Sequence, residues 1–577
     1  MHITTVNRIS YQSIKLKVIL VLLTLLLSLF LAPAKPALAQ SPPESGVETL
    51  ERDARQAPPA PLSRPKLSVA AGQDDQPVYD LGATFTLSSV EVKGATAFSS
   101  EELAAPYANL LGGAVGFGDI QRMCDEMTRR YREAGYILSQ VILPPQEVDP
   151  DNAAITLSAL EGFVSEIVWQ GEEELAKEAA AYFAKSAAYL TSMRPLKLSA
   201  VDRAINLLQD APGLKASSTF DRSEVPGASV LVISVERDLA GGSISVSNSG
   251  TESSGPVIIS SSFFFAGLPA IGFQTTIGYT QALDYREYYS ISLAENYVFS
   301  NGLSLTASYA FGESQKPGTE FAKLFDHATK SHTYSLSASY PVIRGRDLNL
   351  GLSLTLAGRD SSAEILSAPF TLDKLRTASF GANLDFSDEL GGVTQLSLTL
   401  TQGLKAMGAT HLDPESSSPM APADYSRANL YAYRQQQLPL GLSLTAAGEI
   451  QLAGTILPSY ELFSLGGQLF GRGYDSGTLE SDNGAAGYLE LRRPIRLSSD
   501  VSLTPFAFID GGVVWTKGRT EGVDPRQELA SYGFGLSLSA RTKAISNLSL
   551  SLFLGKPLKA VDDQSGERIV AALSARF

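Results

Sequence analysis

From Gly241 to Phe577, apolar side chains recur at every second position, and this alternation constrains the fold more than any other property of the chain. The series Leu303-Leu305-Ala307-Tyr309-Phe311, Leu348-Leu350-Leu352-Leu354-Leu356 and Leu396-Leu398-Leu400 are separated mostly by Ser, Thr, Gly and Asn. A period of two belongs to strands with one apolar face. The pattern runs to the last residue. Ile569, Ala571, Leu573, Ala575 and Phe577 share one face, and Val570, Ala572, Ser574 and Arg576 the other. A strand that ends on an aromatic ring suits a membrane interface. A soluble sandwich has the same alternation but buries its apolar face against a second sheet.

The connections favour the membrane. Sixteen segments can be placed, from 242–250 through 485–495 and 501–513 to 568–577, with an even count and lengths suited to tilted spans. Connections after odd-numbered strands are long: 314–329, 359–375, 403–425, 454–484 and 514–529. Those after even-numbered strands are short, such as 299–301, 342–346, 388–391, 438–440 and 542–544. This asymmetry predicts a 16-stranded antiparallel transmembrane β-barrel over 241–577, with long loops outside and tight turns in the periplasm.

The amino terminus reads as a secretory signal over 1–39. Arg8, Lys15 and Lys17 precede the apolar run Val18–Leu31, and Ala37-Leu-Ala39 is a small-residue cleavage site. A proline-rich linker follows over 40–82, interrupted by the proline-free, charged stretch 44–56, which is competent to form one short helix. Residues 83–161 then read as strand, helix, helix, strand, strand, and 162–240 repeat that order, which predicts two tandem α+β modules. In the first module a Ser99–Glu102 capping box predicts a helix to about Leu111, and Asp119 caps a second. Cys124, the single cysteine, sits in that second helix as a structural thiol. A net charge of -14 argues against a nucleic-acid partner.

The longest connection, 454–484, has an unusual composition for an exposed loop. Arg472 is framed by Gly466, Gly467, Gly471 and Gly473, with Tyr474 beside it. Such glycines permit tight reversals close to other atoms. An arginine folded into the lumen needs a carboxylate, because an unpaired buried charge is costly. In Phe506-Ala-Phe508-Ile-Asp510-Gly511-Gly512, Asp510 faces opposite to Ile509 and Gly511 on the thirteenth strand. It is the candidate partner of Arg472 in a tether from loop to wall. An ordinary Asp-Gly-Gly turn is the alternative reading. Glu490, Arg492 and Arg493 on strand twelve are further charges, some of which must face the lumen.

With these residues in view, the chain resembles the outer-membrane transporters of two-partner secretion (TpsB type, the haemolysin secretion/activation family) within the Omp85 superfamily. Leu465-Gly-Gly-Gln-Leu-Phe-Gly-Arg-Gly-Tyr474 resembles the inward-folded loop motif Val-Arg-Gly-Tyr/Phe, with Gly471 in place of the valine. Phe508-Ile-Asp-Gly-Gly512 resembles the strand motif whose aspartate pairs with the loop arginine. Gly135-Tyr-Ile, Leu143-Pro-Pro-Gln146 and Leu160-Glu-Gly162 are similar to a first POTRA domain, and Val201–Gly213 to a second.

The resemblance implies capture of an unfolded periplasmic exoprotein, adhesin- or haemolysin-like, with an amino-terminal secretion domain, and its export through the barrel without ATP. It implies that 44–56 stand where relatives have a plug helix. Counting strands makes Phe577 the end of the sixteenth, which pairs with the first, near 242–250, to close the barrel; the resemblance implies that it also addresses the chain to the barrel-assembly machinery, with outer-membrane lipid as the surroundings. The alternative within the superfamily is a factor that assembles or inserts outer-membrane proteins. No catalytic Ser/His/Asp arrangement and no cofactor motif is present in the lumen-side segments; a metal at His327 and His332 is the weaker reading.

Overall fold

A computed structural model describes residues 84–577, except 252, 316–326, 519–524, 543 and 562–563. The expected signal, linker and helix at 44–56 lie outside the described residues. The first unit contains β1 (Thr84–Lys93), β2 (Ala114–Gly116), α1 (Phe117–Glu133), β3 (Gln140–Ile142) and β4 (Ala153–Leu160). Its sheet order is β2-β1-β4-β3, with β1 parallel to β4. Ile120, Met123, Cys124, Met127 and Tyr131 recur at helical spacing on α1, so one face of the helix covers the sheet.

The helix expected after Ser99 does not form. Ser99 and Glu102 do exchange capping-box hydrogen bonds, with the Ser99 N–H donating to Glu102 at 2.8 Å. The chain then makes only turns and a short 3-10 segment, Ala108–Leu110. Pro106 has no N–H and disfavours helical backbone at Ala105, so the nucleated turn cannot propagate. Asp119 is not itself the cap residue of α1. It lies inside the first turn and accepts the Gly116 N–H at 2.8 Å.

The second unit has β5 (Phe163–Gln170), α2 (Glu173–Ser192), α3 (Leu198–Gln209), β6 (Gly213–Arg222) and β7 (Ala228–Asp238). Its sheet order is β5-β7-β6, so the two outer strands each present a long edge. The barrel begins with β8 (Ala240–Ser247), β9 (Ile258–Ala266), β10 (Phe273–Ala282), β11 (Tyr289–Val298), β12 (Ser304–Ser314), β13 (Ala328–Arg344), β14 (Leu348–Ile365), β15 (Ala368–Ser387), β16 (Gly392–Gly403), β17 (Ser426–Leu438) and β18 (Leu442–Ala453). The loop hairpin β19 (Phe463–Leu465) and β20 (Leu479–Ser481) intervenes. The wall resumes with β21 (Asn483–Arg492), β22 (Ile495–Arg496), β23 (Val501–Trp515), β24 (Arg526–Ala540), β25 (Asn547–Pro557) and β26 (Arg568–Arg576).

β21 and β22 are one strand broken at Pro494, so the closed, antiparallel barrel has sixteen strands. Closure pairs β26 with β8, from Ala572–Ser247 to Arg576–Ser243. Phe577 extends that ladder by exchanging two backbone hydrogen bonds of 3.0 Å with Gly242. The apolar face lies outside: Leu336, Leu354, Leu356 and Ile509 are all exposed. A soluble sandwich would bury these residues, whereas a lipid-facing barrel turns them outward. One expected loop is replaced by strand. Most of 359–375 continues β14 and β15 into a protruding hairpin that turns at Leu366 and Ser367, both with positive φ.

The second unit is docked on the short-turn end of the barrel. Asp210 pairs with Arg344 through both carboxylate oxygens at 2.7 Å, and Asp202 meets Arg346 at 3.2 Å. Arg203 donates to the carbonyls of Pro341 and Val342. The Tyr182 hydroxyl donates to the Val298 carbonyl at 2.8 Å. Ile271, in the turn between β9 and β10, is buried within the hydrophobic core of this unit.

Candidate functional site in the barrel lumen

The connection between β18 and β21 folds inward. Its β19–β20 hairpin carries Phe463, Leu465 and Leu479 into a small apolar core with Phe470, Tyr474, Val514 and Leu529. Asp510 is 4% exposed and its neighbour Ile509 is 51% exposed, so the strand period puts the carboxylate inside and the isoleucine in lipid. Glu490 on β21 is buried on the same inner wall.

Arg472 joins the loop to this wall. Its backbone N–H and its Nε both donate to Asp510 Oδ2 at 3.1 Å. Its Nη1 donates to Glu490 Oε2 at 2.5 Å. Phe508 lies 3.9 Å below the guanidinium and Tyr488 4.9 Å from it. The second oxygen of Asp510 accepts the Ser531 hydroxyl, and that hydroxyl accepts the Gly473 N–H at 3.0 Å. The Tyr474 hydroxyl donates to the carbonyls of Ala530 and Lys559. Arg492 donates to the other oxygen of Glu490 and stacks on Phe506, while Arg493 is exposed. A buried ion pair is favourable only when its remaining lone pairs and protons are satisfied, and here backbone, serine and aromatic faces satisfy them.

The glycines make the approach possible. Gly466 has φ +103, and a Cβ there would stand 2.0 Å from the Asp475 carbonyl oxygen. Gly467 and Gly471 also have positive φ. Gly473 is different: a Cβ would meet Pro557 N and Ser531 Cβ at 2.8 Å, so only a bare backbone fits against the wall. Gly511 packs on the Leu529 carbonyl, and Gly512 faces Leu465.

Sequence reasoning singled out Arg472 and Asp510 and left Glu490 among several charges without a partner. It missed Ser531 and Tyr488. Glu490 had a readable signal, a carboxylate in the middle of a membrane strand. Ser531 had none, because serine is common on every inner face of this barrel. His332 lies on the outer face of β13 against the Tyr309 hydroxyl at 2.9 Å, and His327 is buried at the start of that strand. No group of three metal-ligating side chains occurs among the described residues.

A sixteen-stranded membrane barrel, fronted by α+β units and holding a folded loop in its lumen, defines an outer-membrane barrel protein. Residues 227–538 match the family model of the haemolysin secretion/activation protein ShlB/FhaC/HecB, and residues 85–162 match the POTRA domain of ShlB type. The chain belongs to that family. It is similar to the heme/hemopexin transporter protein HuxB of Haemophilus influenzae, at 25% identity over 83% of this chain and 85% of the relative. It is also similar to the outer membrane transporter CdiB of Dickeya dadantii, at 23% identity over 75% of this chain and 76% of the relative. Its fold matches the solved structure of CdiB from Escherichia coli, with a TM-score of 0.69 at 19% identity, covering 93% of this chain and all of that one. Members of this family are outer-membrane transporters rather than enzymes. The barrel accordingly lies in the outer membrane, and the POTRA region lies in the periplasm.

Proposed function

We propose that this protein secretes an unfolded exoprotein, captured in the periplasm through an amino-terminal secretion domain and threaded through the barrel. The observation that carries the reading is the lumen loop held by Arg472 against Asp510 and Glu490. A passive pore has no need of such a fitted tether, whereas a conduit for a chain needs a loop with a defined seat. The long edges of β5 and β6 are suited to receive an extended passenger as an added strand. The chain has no phosphate-cradling glycine loop, and one-way folding of the passenger outside supplies the drive. Phe577, paired with Gly242 at the seam, serves as the address for the assembly machinery.

The test is co-expression with a candidate exoprotein encoded beside this chain. Export of that exoprotein, with other outer-membrane proteins at normal levels, supports secretion. A general loss of outer-membrane proteins on depletion of this chain, with no passenger exported, supports the assembly role instead.

A further inference from the structure

The docked POTRA unit leaves a cleft of about 810 Å3 between α2, α3 and the turn joining β13 to β14. Its two walls differ in chemistry. The barrel wall contributes Tyr340, Val342, Ile343 and Leu348, all exposed and all on the lipid side of the sheet. A bulge at Pro341–Ile343 keeps both Val342 and Ile343 outward while Arg344 turns in towards Asn349. The register sets the depth. Ser304 pairs with Val298 on one side and Ser339 on the other, so Phe299 and Tyr340 lie at one level, just below it. Exposed aromatic rings at a common level mark the membrane interface, here that of the periplasmic leaflet.

The opposite wall is basic in a chain whose net charge is -14. Lys185 and Lys197 have no carboxylate partner among the described residues, and both are exposed; the Lys197 ammonium stands 5.6 Å from the Tyr136 ring, a contact that leaves its charge unneutralised. Arg203 spends its donors on uncharged oxygens, those of Pro341, Val342 and Tyr340, so its charge is not neutralised. Arg346 and Arg344 are offset by Asp202 and Asp210, and Asp347 is the remaining acid in the cleft. Ser199 and Ala200, in the first turn of α3, also line it; that turn contains no acidic residue and has no side-chain cap. A surplus of cations directly under a lipid-facing aromatic and aliphatic edge is complementary to one molecule that has both parts.

We propose that this cleft binds the headgroup of an anionic glycerophospholipid of the periplasmic leaflet, with phosphate against Lys185, Lys197 and Arg203 and acyl chains along Tyr340, Ile343 and Leu348. The bound lipid fastens the POTRA unit to the membrane beside the barrel. Because three of the cations stand on the POTRA unit and the apolar edge stands on the barrel, the site exists only while the two are docked.

The test is native mass spectrometry of the full-length protein released from nanodiscs of phosphatidylethanolamine with a minority of phosphatidylglycerol. The wild type retains phosphatidylglycerol in preference to phosphatidylethanolamine. The double variant Lys185→Ala/Lys197→Ala loses that preference by roughly 30-fold, the effect expected of two lysines near an anionic surface. Both lysines are exposed, so the variant keeps its heat-modifiable barrel mobility, which is the folding control. Equal retention of the two lipids by the wild type overturns the proposal. So does unchanged phosphatidylglycerol retention in the variant, or full displacement of the lipid by inorganic phosphate alone, since the apolar wall would then contribute nothing.

Discussion

Arg472 holds Asp510 twice, with its backbone N–H and its side-chain Nε both 3.1 Å from the same carboxylate oxygen. The first bond fixes where the loop backbone stands, and the second fixes the guanidinium against Phe508 and Tyr488. Substitution of the side chain therefore removes only part of the contact and leaves Asp510 buried beside it.

Arg472→Ala is expected to weaken the seat of the loop by about 3–5 kcal/mol, the usual cost of leaving one partner of a buried pair uncompensated. The barrel wall does not depend on the loop for its hydrogen-bond ladder, so insertion and heat-modifiable mobility should persist while passenger export falls. Export at the wild-type rate with a normal amount of barrel would show that the tether does not set the loop for transport.

Glu490 and Asp510 share the Arg472 guanidinium, so the effects of replacing Arg472 and Glu490 should not add. Removing Glu490 after Arg472 has already been replaced should cost less than removing it first, by roughly 0.5–3 kcal/mol of coupling. A double-mutant cycle on loop protection in hydrogen exchange measures this. Strict additivity would mean that Glu490 serves Arg492 alone.

Asp210→Ala should loosen the second α+β unit from the barrel. Arg344 has a side chain 1% exposed and would lose both of its 2.7 Å bonds to Asp210, although Asn349 still accepts from it. Asp210 itself is partly hydrated, which places the effect near the lower end of the ~3–5 kcal/mol expected for a broken buried pair. Hydrogen exchange should quicken in α3 and in turn 345–347 and stay unchanged in α1. Unaltered exchange in α3 would show that the apolar contact at Ile271 suffices for docking.

Glu161, in the Leu160-Glu-Gly162 motif, predicts a pH dependence in the first POTRA unit. Burial alone would raise its carboxyl, but hydrogen bonds from Thr96, Ala97 and Tyr131 hold it below the ordinary value. A carboxylate with a lowered folded pKa adds stability above its unfolded pKa, and that stability is lost as the pH falls through the folded value. Glu161→Gln should therefore destabilise this unit at neutral pH, and the gap from wild type should close below about pH 4. A gap that stays constant from pH 7 to about pH 3 would assign the loss to shape rather than charge.

Burial pushes the Cys124 thiol up to about 12. A maleimide at pH 7.5, well below that value, should leave the native thiol unlabelled, because the thiolate is the reacting form. Labelling should begin only where denaturant opens α1. Rapid labelling of the folded protein would contradict the packing of α1 on its sheet.

The division between what was readable and what was not follows from range. Alternation is local, so Leu354 and Ile509 declare their outward side without knowledge of any neighbour. The same period makes Asp510 and Glu490 inward residues. Proline chemistry is local too: Pro106 stops the helix that the Ser99–Glu102 capping box starts. From sequence, 359–375 reads as a loop between two spans; in the fold most of it pairs strand to strand, and such pairing does not require an apolar face.

By itself the sequence determined a sixteen-strand outer-membrane barrel behind α+β units, because strand period, loop asymmetry and module order are written along the chain. Only the tertiary structure decided which groups meet. Arg472, Glu490, Asp510 and Ser531 belong to a loop and three successive wall strands, and their heights depend on the register between those strands. Alternation tells which side a residue faces and carries nothing about register. For the same reason the cations of α2 and α3 and the lipid edge of β13 are unrelated in sequence, and only docking brings them to one cleft.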